Sequence, residues 1–217
     1  MKDEEIHTVI RKLRKAVAAW RQPAVTTVAE GRDPFLVLIS TLLSLRTRDA
    51  VTAAASSRLF AEASTPAALA RLTAARIEKL IYPACFYRVK ARTLRKVCGR
   101  LLERHGGRVP DTIDALLALP GVGRKTANLV VTLGFGKPGV CVDTHVHRIA
   151  NRLGYVRTRG PEETELALRA KLPRRYWNEI NDLLVAYGQN LCQPVSPWCT
   201  RCVLSPSCPR LGVRHSR

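Results

Sequence analysis

The sequence predicts an all-α fold. Apolar residues recur at helical spacing along most of the chain, helix-start signals precede many of those stretches, and no stretch alternates apolar with polar as a half-buried strand would. Ile6, Val9, Ile10, Leu13 and Val17 form the first apolar stripe, behind the acids Asp3, Glu4 and Glu5, which suit a helix N-terminus. Arg11, Lys12, Arg14 and Lys15 form its polar face, which reads as solvated or turned toward a polyanion rather than toward a membrane. Asp33-Pro34 opens a helix running to Leu45, with Asp as cap and Pro in the first turn. Thr65-Pro66 and Gly160-Pro161 repeat that signal, and Thr73 caps "AARIEKLI". "RVKARTLRKVCGRLLERH" is a basic helix stopped by Gly106-Gly107, Asp111 or Thr112 caps "IDALLAL", and "RRYWNEINDLLVAYGQNLC" reads as one further helix. The total is about ten helices, with no low-complexity linker or simple repeat.

Charge and cysteines narrow the function. The 217 residues carry 36 Lys+Arg against 17 Asp+Glu, a net charge of +19, which attracts polyanions, nucleic acid above all. The longest apolar run, Phe35 to Leu45, is about half of the roughly 20 residues that span a bilayer, so no membrane role is expected. The N-terminus lacks the clustered apolar core of a signal peptide, which points to a cytoplasmic protein, nucleoid-associated if bacterial. The 7 cysteines are then not a disulfide framework.

"TIDALLALPGVGRKTANLVVTLGF" is the next signal: helical periodicity on both sides of Pro120-Gly121-Val122-Gly123. Pro120 ends one helix, the glycines permit a tight turn, and a second helix starts near Arg124. The glycine spacing is wrong for a nucleotide P-loop, and a helix rather than a strand precedes it. Two readings of the turn remain: a plain connector, or a helix N-terminus whose amides hold one phosphate. Lys125 on its own reads as a phosphate neutraliser beside Arg124. Asp143 in "CVDTHVH" reads as an N-cap for the helix that follows, and His145 and His147 have no metal-ligand set around them.

Cys192, Cys199, Cys202 and Cys208 follow the pattern C-x6-C-x2-C-x5-C. Four soft ligands so close together imply a metal or a cluster. Structural zinc favours two knuckle-like pairs and only one C-x-x-C is present, whereas a [4Fe–4S] cluster accepts four thiolates from one compact loop. Cys85, Cys98 and Cys141 are left over and are expected as buried core thiols.

"LPGVGRKTA" followed by "VDTHVHRIANRLG", with "LLSLRTRD" upstream and the four terminal cysteines, resembles the endonuclease III family of base-excision DNA glycosylases. The resemblance implies the helix-hairpin-helix glycosylase fold, with two helical domains flanking a DNA-binding cleft. One is a six-helix domain over 25–137. The other, over 1–24 and 138–217, holds a [4Fe–4S] cluster on the four cysteines. It also implies a monomer acting on double-stranded DNA with oxidised pyrimidines or abasic sites, as a glycosylase and AP lyase. Lys125 takes the nucleophile's position, where a helix N-terminus favours a free amine, and Asp143 that of the assisting carboxylate. Gly121, Val122, Gly123 and Arg124 become the hairpin's DNA contacts.

The sequence departs from the family at the residues that fill the gap left by an everted base. Arg46 stands where the family has glutamine, and Phe86, in "ACFYRVKA", where it has leucine. Phe86 can wedge by stacking and Arg46 can hydrogen-bond an orphan base, so opposite-base preference is expected to differ. The loop "QPVSPW" lacks the basic residues usual in the family. Lys90, Arg88, Arg201 and Arg210 are the expected compensating DNA contacts. Asp49 matches the family pattern and equally suits a helix start. Adenine-mismatch relatives lack a lysine at position 125, and thymine-mismatch relatives have tyrosine there. A non-catalytic iron–sulfur DNA-binding protein is the alternative from another class, and only Lys125 with Asp143 separates it from an enzyme.

Overall fold

The computed structural model describes residues 4–20 and 23–217. Twelve α-helices occur among them and no strand: α1 Glu5–Val17, α2 Ala24–Ala29, α3 Pro34–Ser44, α4 Asp49–Glu62, α5 Pro66–Arg71, α6 Ala74–Ile81, α7 Tyr87–His105, α8 Ile113–Leu117, α9 Arg124–Leu129, α10 Thr144–Arg152, α11 Pro161–Lys171 and α12 Ile180–Asn190. The all-α expectation holds. Asp3 lies outside the described residues. The chain divides into two compact units, Ala24–Lys137 and Met1–Pro23 with Pro138–Arg217.

In the unit Ala24–Lys137, α3 is the centre. Val37, Leu38, Ile39 and Leu43 are fully buried, and Ser40 and Thr41 return their hydroxyls to the carbonyl of Val37. A helix that is apolar all round must be enclosed, and α2, α4, α7 and α9 pack around this one. The start signals act as expected from their chemistry. Asp33 accepts the amides of Phe35 and Leu36, Thr65 that of Ala68, and Thr73 that of Arg76. Of the two candidates before α8, Thr112 caps it, while Asp111 pairs with Lys137 at 2.6 Å. Gly106, at φ +57°, stops α7 with its amide on Leu101.

In the other unit the apolar stripe of α1 (Ile6, Val9, Ile10, Leu13) packs with Val146 and Ile149 of α10 and with Leu184 and Tyr187 of α12. One sequence expectation is corrected here and one in the first unit. The stretch 174–192 is not one helix: a 3-10 turn at Arg174–Tyr176 precedes α12. The break turns Tyr176 into the core and lets the indole N–H of Trp177 donate to the carbonyl of Leu172, which ends α11. Cys98 and Cys141 are buried as expected, and burial pushes the Cys98 thiol up to about 12, but Cys85 is exposed, in the turn that precedes α7.

The helix after the hairpin widens into a π-helical turn at Val130–Gly134. It ends with the backbone of Gly134 against Pro34, the first residue of α3. A Cβ at Gly134 would lie 2.9 Å from the Pro34 Cα, closer than real side chains approach. Gly134→Ala is therefore expected to cost about 1–3 kcal/mol in urea unfolding. An unchanged midpoint would show that the contact is not tight.

Candidate functional site

The hairpin turn is built by its neighbours. Helix α8 ends at Leu117, earlier than expected, because the residue before a proline is pushed out of the helical region and Leu119 precedes Pro120. Gly121 takes φ +74°, and a Cβ there would meet the methyl of Thr93 at 2.9 Å, so both backbone and space require glycine. Gly123 is the N-cap of α9, its carbonyl accepting the amide of Ala127. Val122 is placed differently from the sequence expectation: its side chain joins the core and its amide bonds the carbonyl of Leu119, so it shapes the turn from inside. Gly121 and Gly123 are exposed. Arg124 and Lys125 open α9 half-buried, on a helix anchored by the buried Thr126, Ala127, Asn128 and Leu129.

Asp143 lies in the other unit. It is buried and caps α10, one carboxylate oxygen accepting the amides of His145 at 2.8 Å and Val146 at 2.9 Å. Its orientation is thereby fixed by backbone. The two histidines serve this neighbourhood. The His145 ring meets Arg148 at 3.0 Å, and the His147 ring meets the Thr164 hydroxyl at 2.7 Å.

Arg46 and Phe86 belong to the first unit, and both are exposed. Each holds a left-handed backbone unusual for its type, at φ +54° and +57°, and the Arg46 guanidinium lies over the Phe86 ring at 5.9 Å. They border a cavity of about 490 Å³ together with Leu45, Lys90, Thr93 and Gly121, in the size range of ligand sites. Lys90 is not on the surface as expected. It is 8% exposed, and its ammonium donates to the carbonyls of Leu43 and Leu45 and to the Thr47 hydroxyl, at 2.6, 2.7 and 2.8 Å. All three donors are spent inside the protein.

The four cysteines line one cavity with Arg152, Leu191 and Trp198. Burial raises the Cys208 thiol, and the charges of Cys202, Cys192 and Cys199 raise it further, a mutual repulsion that a shared cation relieves. The Tyr187 hydroxyl meets the Cys202 sulphur at 3.1 Å. Among the described residues, no three His, Cys, Asp or Glu side chains have the arrangement of a single-ion site. The loop between Cys192 and Cys199 is held by two arginines that the sequence reading passed over. Arg152 donates to the carbonyls of Gln193 and Pro194 at 2.7 and 2.8 Å, and Arg148 to that of Cys192 at 2.9 Å. Their spacing of four on α10 was the available signal, but it also describes an ordinary basic helix face. Outside the loop, Arg201 and Arg217 both stack on Trp198, which puts positive charge beside a segment that has none of its own. Arg210 hydrogen-bonds Ser205, and Arg88 lies over Tyr87.

The model of the HhH-GPD superfamily of base excision DNA repair proteins matches residues 39–174. The chain belongs to that superfamily. Within it, the chain is a member of the endonuclease III family: it is 51% identical to Endonuclease III of Thermotoga maritima over 176 residues, 81% of this chain and 83% of the relative. Two solved structures share the fold over nearly the full length. A non-covalent Endonuclease III–DNA complex matches with a TM-score of 0.86 and 33% identity, over 97% of this chain and 96% of that one. A trapped Endonuclease III–DNA covalent intermediate with an estranged adenine matches with a TM-score of 0.85 and 32% identity, over 97% of both chains.

Burial pulls the Lys90 ammonium down from its ordinary 10.5 to about 8, with nearby Cys85 opposing. Between those values the unfolded chain binds more protons than the folded one, so stability contributed by Lys90 rises with pH through that window. The stability difference between the wild-type protein and Lys90→Met, from urea unfolding at about pH 7.5 and about pH 10, is expected to shift in favour of the wild type at the higher pH. The opposite shift would mean that the ammonium is favoured by the fold.

Proposed function

We propose that the protein is a bifunctional DNA glycosylase and AP lyase of base excision repair, acting on oxidised pyrimidines and abasic sites in duplex DNA. The observation that carries this is Lys125 in the first turn of the helix after a glycine hairpin, in a chain that aligns with endonuclease III over most of its length. The Lys125 amine attacks C1′ of the damaged nucleotide. The bond to the base breaks, and the base leaves with the electron pair and takes up a proton. The nitrogen gives up a proton, the C1′–O4′ bond opens with O4′ taking up a proton, and the protonated Schiff base that this leaves at C1′ acidifies the C2′ hydrogen. Its loss expels the 3′ phosphate, which cuts the strand, and water releases the enzyme from the sugar fragment. Asp143, oriented by the two amides it caps, stabilises the positive charge that develops at the sugar and assists the proton transfers. The exposed glycines of the hairpin let a backbone phosphate approach, and Arg124 neutralises it. Arg46 and Phe86 enter the space vacated by the everted nucleotide.

Cys192, Cys199, Cys202 and Cys208 hold a [4Fe–4S] cluster in this reading. Four thiols on one cavity, in a loop braced by Arg148 and Arg152, fit a group that shares positive charge among four thiolates. Bound there, the cluster crosslinks a loop too short to bury a core of its own. The purified protein is expected to contain about four irons per chain, and stoichiometric zinc in their place would overturn this assignment.

Borohydride reduction with damaged duplex DNA tests the chemistry. The wild-type protein is expected to form a covalent adduct, and Lys125→Gln to form none and to leave the strand intact while binding duplex DNA as well as the wild type. Normal cleavage by Lys125→Gln would refute the nucleophile. A wild-type protein that binds damaged DNA without forming an adduct would be a binding module rather than an enzyme.

A further inference from the structure

Lys90 has no part in the chemistry just described, and its burial asks for a reason. Its three N–H donors end on the carbonyls of Leu43 and Leu45 and on the Thr47 hydroxyl. These groups bracket Arg46. The Thr47 hydroxyl is used completely: it donates to the carbonyl of Leu45 at 3.3 Å and accepts from Lys90 and from the backbone amide of Cys85 at 3.2 Å. Cys85 is the residue before Phe86. One ammonium and one hydroxyl therefore tie the turn that carries Arg46 to the turn that carries Phe86. Both of these residues sit on left-handed backbone, which side chains of their type adopt only when their surroundings impose it. The Arg46 guanidinium lies over the Phe86 ring, and Lys90 lines the same cavity as both.

We infer that Lys90 is a positioning residue: by clamping the Leu45–Thr47 turn and, through Thr47, the turn before Phe86, it holds Arg46 and Phe86 as one preformed wedge that unstacks the base opposite the lesion. This rests on the reading of Arg46 and Phe86 as insertion residues. Lys90 is turned inward, so it makes no phosphate contact, and its loss leaves the binding of undamaged duplex unchanged. What it sets is the geometry of the wedge. A displacement of about 1 Å at such a group is enough to slow a step by up to about a hundredfold.

The test uses the full chain and a duplex with 2-aminopurine opposite an abasic-site analogue. The fluorescence rise on binding reports unstacking of the opposite base, and single-turnover strand cleavage on a damaged duplex is followed in parallel. Lys90→Met keeps the length of the side chain and removes its donors. Thr47→Val keeps the shape and removes the hydroxyl. Both are expected to lose most of the fluorescence rise and to cleave roughly tenfold more slowly or worse, with undamaged-duplex affinity and its salt dependence as in the wild type. A fall in undamaged-duplex affinity and in salt dependence for Lys90→Met would instead make it a phosphate contact and overturn the clamp. Full fluorescence in both variants, where Arg46→Ala and Phe86→Ala lose it, would overturn the clamp and leave the wedge standing. Full fluorescence in Arg46→Ala and Phe86→Ala would overturn the wedge itself, and the clamp with it. If Lys90→Met does not fold, Thr47→Val decides the question alone.

Discussion

A chain of short helices is a chain of helix ends, and each end leaves backbone N–H and C=O groups without a partner in the helix. Here that constraint is met largely by charged and hydroxyl side chains, and the placement of the functional groups follows from it. Asp33, Thr65, Thr73, Thr112 and Asp143 accept amides at helix starts. Lys90 closes the carbonyls at the end of α3, and Arg148 and Arg152 close those of the cysteine loop. Part of the basic excess is thus internal structure, and part remains outward as a field for a polyanion.

The same economy joins structure to chemistry within each unit. In the unit 24–137, burial of α3 brings α7 and α9 around it, so that the cavity edged by Arg46 and Phe86 also touches Gly121 of the hairpin. In the other unit α10 serves at both ends. Its N-terminus orients Asp143, and Arg148 and Arg152 hold the loop between Cys192 and Cys199. One helix thus joins the carboxylate to the cysteine loop.

Much of the site was legible because its signals are local. A cap, a glycine turn and a set of closely spaced thiols are each fixed by a few neighbouring residues, so Asp143, Gly121, Gly123 and the four cysteines could be read in order along the chain. Lys90 could not. In sequence it is one more cation on a basic helix, like Arg88, and only the packing of α7 on α3 turns it inward, 47 positions from the carbonyl of Leu43 that it closes. Arg148 and Arg152 escaped for the same reason, and so did the exposure of Cys85.

The sequence by itself determined the helical class, the start of most helices, the turn that only glycine can make and the thiol set, because those depend on torsions and hydrogen bonds within a few residues. The tertiary structure alone decided which charges serve the interior. It broke the stretch 174–192 to seat Tyr176, widened the turn at Val130–Gly134 against Pro34, and drew Val122 into the core. Those choices depend on what lies across the core, and no local pattern records it.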